Sequence, residues 1–290
     1  MEKIGLVRTR DGKSFLVPFI LITSLFFLWG VAHSILDVLN KHFQDTLEIT
    51  RTRSALIQAV VYGGYFIMAL PAGRIIRRFG YRTGVLTGLV LYGIGALLFI
   101  PGGRIQSFEF FLLALFVIGC GLTCLETASN PYVTVLGEPE GSERRINLAQ
   151  SFNGLGWICG PLAGGFFLFA GGGDVTTPYA VLGTVVLCIA ILFSRVKLPE
   201  IGREAESEQA EASGKSLWRT TSFTVGLLSL FLYVAAQTGI NSFFINYATE
   251  NAGVSAQEAS VWLSFGGMGL FMAAYSGGYP FSISGDIRSV

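Results

Sequence analysis

Eight apolar blocks, at 15–39, 54–76, 83–101, 108–136, 146–170, 178–196, 222–248 and 259–279, limit what this chain can fold into. Each meets or approaches the roughly 20 residues that a helix needs to cross a hydrocarbon layer. Runs such as Thr87 to Ile100 are apolar on every side, whereas the strand of a membrane barrel would be about 10 residues of strict alternation. In lipid a backbone must satisfy its own N–H and C=O groups, and a helix does so within one segment. The expected fold is therefore all-α, a polytopic bundle of membrane helices. Composition agrees: 51% of the 290 residues are hydrophobic and only 13% are charged, against about a quarter charged in a soluble domain. The first block is longer than a signal-peptide core and has no small-residue cleavage pattern after it, so it is expected to stay in the mature protein.

The charges lie between the blocks, and their distribution gives an orientation. With the N-terminus in the cytoplasm, 15 of the 20 lysines and arginines fall on the inner side. Lys41, Arg51, Arg53 and Arg104 fall outside, and Arg288 lies in the terminal tail. That bias is the positive-inside pattern of a multi-pass plasma-membrane protein, the inner membrane if the source is a Gram-negative bacterium. The one long polar stretch contains Glu204-Ala-Glu-Ser-Glu-Gln-Ala-Glu and follows the sixth block. It reads as a cytoplasmic linker, either a plain solvated spacer or a docking loop. The chain divides into a six-helix bundle (1–196), the linker (197–220) and a partial second bundle of two helices and an atypical tail (221–290). Six spans, a linker and further spans is a layout of transporters built from two halves.

Asp37 and Glu126 are the acids well inside apolar blocks. An ionised acid at a helix centre costs about 2.5–3.5 kcal/mol on insertion scales, and burial favours the neutral form, so a carboxyl in a partly wet cavity can take up and release a proton near neutral pH. Proton coupling is the functional reading; a static hydrogen bond or ion pair is the other. Asn130 stands one turn from Glu126, with Pro131 loosening the helix beside it. Gln150 and Asn153 are three apart, as are Tyr62 and Tyr65, and Gln237 and Asn241 are four apart. Amides and carboxyls suit the hydroxyls of a sugar, and aromatic faces suit its ring; the same groups also hold helices together. His33 precedes Asp37 by one turn, a spacing at which the two can share a proton, although a lone membrane histidine is more often a structural hydrogen-bonder.

Two motifs concern movement. Gly73-Arg-Ile-Ile-Arg-Arg-Phe-Gly-Tyr-Arg82 lies between the second and third blocks, where glycines allow a tight turn and Arg77, Arg78 and Arg82 can meet helix ends. Gly156, Gly160 and Gly164 recur every four residues, a spacing that lets two helix backbones approach closely. Cys120, Cys124, Cys159 and Cys188 sit in apolar stretches without zinc-ligand spacing and read as small buried packing residues. A net charge of +1 points to no nucleic-acid partner. No glycine-rich segment carries a phosphate-binding lysine after a strand, and no serine, histidine and acid set stands out in the loops. No cofactor, metal or enzymatic activity is expected.

The turn at Gly73 to Arg82 resembles the loop signature of the major facilitator superfamily, with Arg77 at the usual aspartate position and Tyr81 at the first arginine after the second glycine. Within that superfamily, Phe26-Phe-Leu-Trp-Gly-Val-Ala followed by Asp37, Leu125-Glu-Thr-Ala-Ser-Asn-Pro, Val133-Thr-Val-Leu-Gly, Asn147-Leu-Ala-Gln-Ser-Phe-Asn153 and Tyr233-Val-Ala-Ala-Gln-Thr resemble the L-fucose:proton symporter family over about 15–250. The resemblance implies a twelve-helix alternating-access carrier of a monosaccharide. Glu126 would be its coupling carboxyl, Asp37 a second acid in the sugar path, and Gln150 and Asn153 would lie at the sugar site. His33 and Ser34 stand where relatives often carry asparagines, which leaves the particular sugar open. After Met272 the chain departs from the pattern, reading Ala-Ala-Tyr-Ser-Gly-Gly-Tyr-Pro, as a truncated or frame-shifted product would; a fragment that does not transport is one rival reading. The other is a drug:proton antiporter, because Gly156-Trp-Ile-Cys-Gly-Pro-Leu-Ala-Gly-Gly165 matches the fifth-helix signature of such antiporters.

Overall fold

The computed structural model describes residues 6–9, 11–170, 174–195 and 220–266. They form α1 (Leu16–Thr46), the short α2 (Arg51–Ser54), α3 (Leu56–Phe79), α4 (Tyr81–Leu97), α5 (Phe99–Ile105), α6 (Phe108–Val135), α7 (Ser142–Gly165), α8 (Thr176–Arg195) and α9 (Thr221–Asn251), with a further helical stretch at 256–266. No strand occurs among the described residues, only one β-bridge between Arg8 and Ser14. Among the described residues, seven segments are long and apolar enough to cross a membrane. The chain is thus the all-α membrane bundle that its apolar blocks require. The expected linker at 197–219, the end of the eighth span and the tail lie outside the described residues.

Local chemistry sets the helix ends. The Ser107 hydroxyl accepts from the Phe110 amide at 3.3 Å and starts α6. Asp174 accepts from the amides of Thr176 (2.8 Å) and Thr177 (3.2 Å) at the head of α8; both are N-caps that satisfy otherwise orphaned donors. These bonds hold the Asp174 carboxyl below its usual range, the Thr177 hydroxyl contributing most. Gly80 closes α3 and opens α4 at φ 87°, a left-handed backbone that favours glycine. Gly73, by contrast, lies inside α3, where a Cβ would meet nothing within 4 Å. That corrects the expectation that both glycines of the motif make the turn.

The tightest joint in the bundle is between α1 and α7. A Cβ on Gly156 would lie 2.9 Å from Gly30 Cα and closer still to Phe27 O, one on Gly160 would meet Ser34, and one on Gly164 would sit 3.1 Å from Ile35 Cγ1. The glycine repeat therefore does bring two backbones together, as its spacing predicts. Asn153 Nδ2 donates to Phe26 O at 3.1 Å across the same joint. Gly88 and Gly121 join α4 to α6 in a similar way, each meeting backbone of the other at 2.8 Å.

At the N-terminal end of α7, Arg145 is fully buried. Its guanidinium donates to Val133 O (3.2 Å), Leu6 O (3.1 Å), Glu138 O (2.9 Å) and Thr134 O. It thereby satisfies carbonyls left over at the C-terminus of α6 and ties in the N-terminal segment. Of the cysteines, Cys124 is buried, Cys120 and Cys159 are half-buried and Cys188 is exposed; the last corrects the expectation that all four pack inside.

Candidate functional site

α1 continues seven residues past its apolar block, so Asp37 lies nine residues from its end, about 14 Å along the axis. The carboxylate therefore lies well inside the helix rather than at its end, and it is 4% exposed. Gln58 Nε2 of α3 donates to its Oδ1 at 3.1 Å, and the Ser242 hydroxyl of α9 donates to the same oxygen at 3.3 Å. Asp37 is thus held by groups from both sides of the linker.

Around it, His33, Gln58, Tyr62, Trp157, Gln237, Thr238 and Asn241 line one cavity of about 40 Å³. That is room for water but too little for a monosaccharide ring. The Tyr62 hydroxyl and Thr238 Oγ1 lie 3.2 Å apart across it. Sequence reasoning had named His33, Asp37, Tyr62, Gln237 and Asn241, and the fold places these five together. It missed Gln58, Trp157, Thr238 and Ser242. Gln58 had a signal, since it stands four residues before Tyr62 on one helical face; Ser242, a lone serine beside Asn241, had none.

In this arrangement His33 takes the role of a structural hydrogen-bonder rather than of a relay to Asp37. Its Nδ1 faces Trp29 O at 3.4 Å, and its ring packs edge-on against Trp29 (5.9 Å) and Tyr65 (5.7 Å). The side chain is oriented along its own helix and by aromatic neighbours instead.

Glu126 belongs to a second cluster on α6. The buried Tyr65 hydroxyl makes no hydrogen bond of good geometry, and Glu126 and Trp29 are polar groups beside it. One turn on, Asn130 Oδ1 accepts from Gln150 Nε2 at 3.4 Å, so four of the expected polar residues, Tyr65, Glu126, Asn130 and Gln150, gather here. Asn153 does not join them, because its amide is committed to α1 backbone. Pro131 leaves α6 unbroken to Val135. Nearby an open cleft of about 330 Å³ is lined by Arg74, Arg77, Thr127 and Pro131. Of the loop arginines, Arg82 donates to Ser194 O at the end of α8 at 2.5 Å, the expected helix-end contact, and Arg78 lies over the Phe79 ring at 5.3 Å. Among the described residues no group of three or more His, Cys, Asp or Glu is placed to hold a metal.

The sequence model of the Major Facilitator Superfamily matches this chain over residues 15–287. The chain belongs to that superfamily. It is 35% identical to the L-fucose-proton symporter of Escherichia coli, over 92% of this chain and 68% of that protein. It is 34% identical to a glucose/galactose transporter of Brucella abortus, over 87% and 64%. A crystal structure of an E. coli fucose:proton symporter variant superposes with a TM-score of 0.70 at 33% identity, covering 92% of this chain and 71% of that one. A D-xylose-proton symporter superposes at 0.62 with 17% identity over 86% and 65%, a likeness of fold alone. The chain spans about two thirds of the length of these relatives.

Proposed function

We propose that this protein is a secondary transporter that brings a monosaccharide of the fucose, galactose or glucose class across the membrane with a proton, by alternating access. The observation that carries the reading is the Asp37 cavity, where a membrane-buried carboxylate is surrounded by amides, hydroxyls and aromatic rings drawn from α1, α3, α7 and α9. Hydroxyl-rich ligands need both donors and acceptors, and this lining supplies both. The name of the E. coli relative states symport of L-fucose with a proton, and that of the B. abortus relative states transport of glucose and galactose.

In this reading 1–196 is one six-helix half with its N-terminus in the cytoplasm, 197–220 is the linker, and α9 begins the second half. Glu126 and Asp37 carry the coupled proton. Tyr62, Gln237, Asn241 and His33 meet the sugar from the Asp37 side, while Tyr65, Asn130 and Gln150 meet it from the Glu126 side. Asn153 supports the site by fixing α7 on α1. In the antiporter signature at Gly156 to Gly165, Gly156, Gly160 and Gly164 pack against α1 and Gly165 against Ser260, so packing accounts for the row without an apolar cation.

The test is uptake of labelled fucose, galactose and glucose by vesicles containing the 290-residue chain, beside Glu126→Gln. Uptake that follows an imposed proton gradient and is lost in the variant establishes the symporter. No uptake of any of the three sugars overturns the reading for this chain.

A further inference from the structure

α1 and α7 touch along only part of their length. From Gly156 to Gly164 the glycine row holds the two helices together. On the N-terminal side of Gly156 larger residues take over, and a cavity of about 510 Å³ opens between them. Its walls are apolar: Leu16, Ile20 and Phe27 from α1, and Leu148, Phe152 and Leu155 from α7. Ile20 is 55% exposed and Phe152 41%, so the cavity is a groove with an open side. One polar group in it is unmatched. Thr23 lines the groove and is 5% exposed, and its hydroxyl has no hydrogen-bond partner. By contrast Thr123, Thr127 and Thr184 donate to carbonyls of their own helices at 2.8, 2.7 and 2.8 Å. A buried hydroxyl without a partner loses the hydrogen bonds it had in water, and an acceptor on a molecule in the groove restores one.

We propose that this groove binds an anionic phospholipid, with one acyl chain between α1 and α7, an ester carbonyl accepting from the Thr23 hydroxyl, and the phosphate at Arg144 and Lys13. The depth of Thr23 supports the ester. With the 31 residues of α1 centred on a hydrocarbon layer about 30 Å thick, Thr23 falls about 12 Å from the middle, just inside the boundary where acyl chains join their glycerol. The charge at the open end supports the phosphate. Arg144 stands one turn before Leu148 and two before Phe152 on the same face of α7, and Lys13 precedes Leu16 by three residues; both cations are exposed. Glu143 adjoins Arg144 in sequence, but helix neighbours one residue apart do not share a face. Apolar walls for a chain, one donor in want of an acceptor and cations at the headgroup end all fit the same molecule. The site goes beyond the symporter reading, since it requires only that α1 and α7 cross the membrane.

The test replaces Phe152 with the photoreactive p-benzoylphenylalanine in the full chain, held in nanodiscs of equal parts phosphatidylglycerol and phosphatidylcholine with identical acyl chains. After illumination, intact mass and peptide mapping identify what the groove held. The expected product carries one phospholipid, phosphatidylglycerol exceeding phosphatidylcholine on the order of fivefold, the weight of about one charge-assisted contact. Changing Arg144→Gln and Lys13→Gln together should bring that ratio near one. Thr23→Val should lower the total lipid adduct on the order of fivefold, about one hydrogen bond, while Thr23→Ser, which keeps the hydroxyl, should restore it and so separate lost binding from a damaged fold. Thr184→Val, on α8, should change nothing. Equal adducts of the two lipids in the parent, an undiminished yield in Thr23→Val, no lipid adduct, or a cross-link to a second copy or to a peptide from 197–219 or 267–290 overturns the site. No sugar or gradient is present. Lipid adducts as expected without sugar uptake leave the groove standing and the symporter reading fallen; working uptake without them gives the reverse.

Discussion

α1 takes part in two joints of opposite character. Toward α7 it presents Gly30 and Ser34 to a glycine row, and the two backbones approach so closely that a methyl group on Gly156 or Gly160 would collide. Toward α9 it presents Asp37, Asn40 and Gln44, whose contacts are side-chain hydrogen bonds. The first joint contains little that water could replace. The second relies on polar groups that water satisfies equally well, with a net worth of about 1 kcal/mol per bond, alongside the buried Ile245 and Ala248 of α9. A carrier that rocks needs both kinds, a rigid half that moves as one body and a seam that can part. In the proposed reading the glycine joint belongs to the rigid half and the polar contact with α9 to the part that moves.

Overfilling the glycine joint should have the largest effect. Gly156→Leu is expected to lower folding stability by about 3 kcal/mol or more through overpacking, read as a fall in thermal midpoint in detergent. Gly73→Ala, with open space around it, should leave the midpoint unchanged or slightly raised. Equal losses from the two would erase the distinction between joint glycines and incidental ones. Asp37→Asn should leave the midpoint nearly in place but cut gradient-driven uptake on the order of 100-fold, equivalent to about 2.7 kcal/mol. A large fall in midpoint with coupling intact would make Asp37 a structural group instead. Gln44→Leu is expected to cost about 1 kcal/mol of stability; a loss as large as that of Gly156→Leu would show the polar seam to be as static as the glycine one. Arg51→Gln should change stability by less than about 0.5 kcal/mol, and that small change should vanish in high salt, as for an exposed pair.

The bundle was legible because each span is a long apolar run, and length and hydropathy are local properties. The ends were less so. α1 runs on to Thr46 past its apolar block because Lys41 and Asp45 pair at i and i+4 with a 2.6 Å contact and Gln44 finds partners on neighbouring helices. That extension leaves Asp37 well inside the helix rather than near its end and places Gln44 against α9, and neither could be read from hydropathy. Acids in apolar runs stood out at once, and so did the amide and tyrosine pairs. What spacing could not supply was the partner helix. The His33 ring turned to Trp29 rather than to Asp37, the Asn153 amide to Phe26 O, and Asp37 itself to a serine some two hundred positions away.

Arg145 was first counted as one of the cationic loop residues that favour a cytoplasmic location. In the finished fold its side chain is sealed from water and its donors are spent on the carbonyl end of α6 and on Leu6. In the proposed orientation the same charge therefore serves at two stages of biogenesis. While the chain is being threaded into the bilayer, an exposed guanidinium resists translocation and keeps the loop between α6 and α7 on the near side. Once the helices have assembled, that guanidinium folds inward and fastens the helix end it helped to retain.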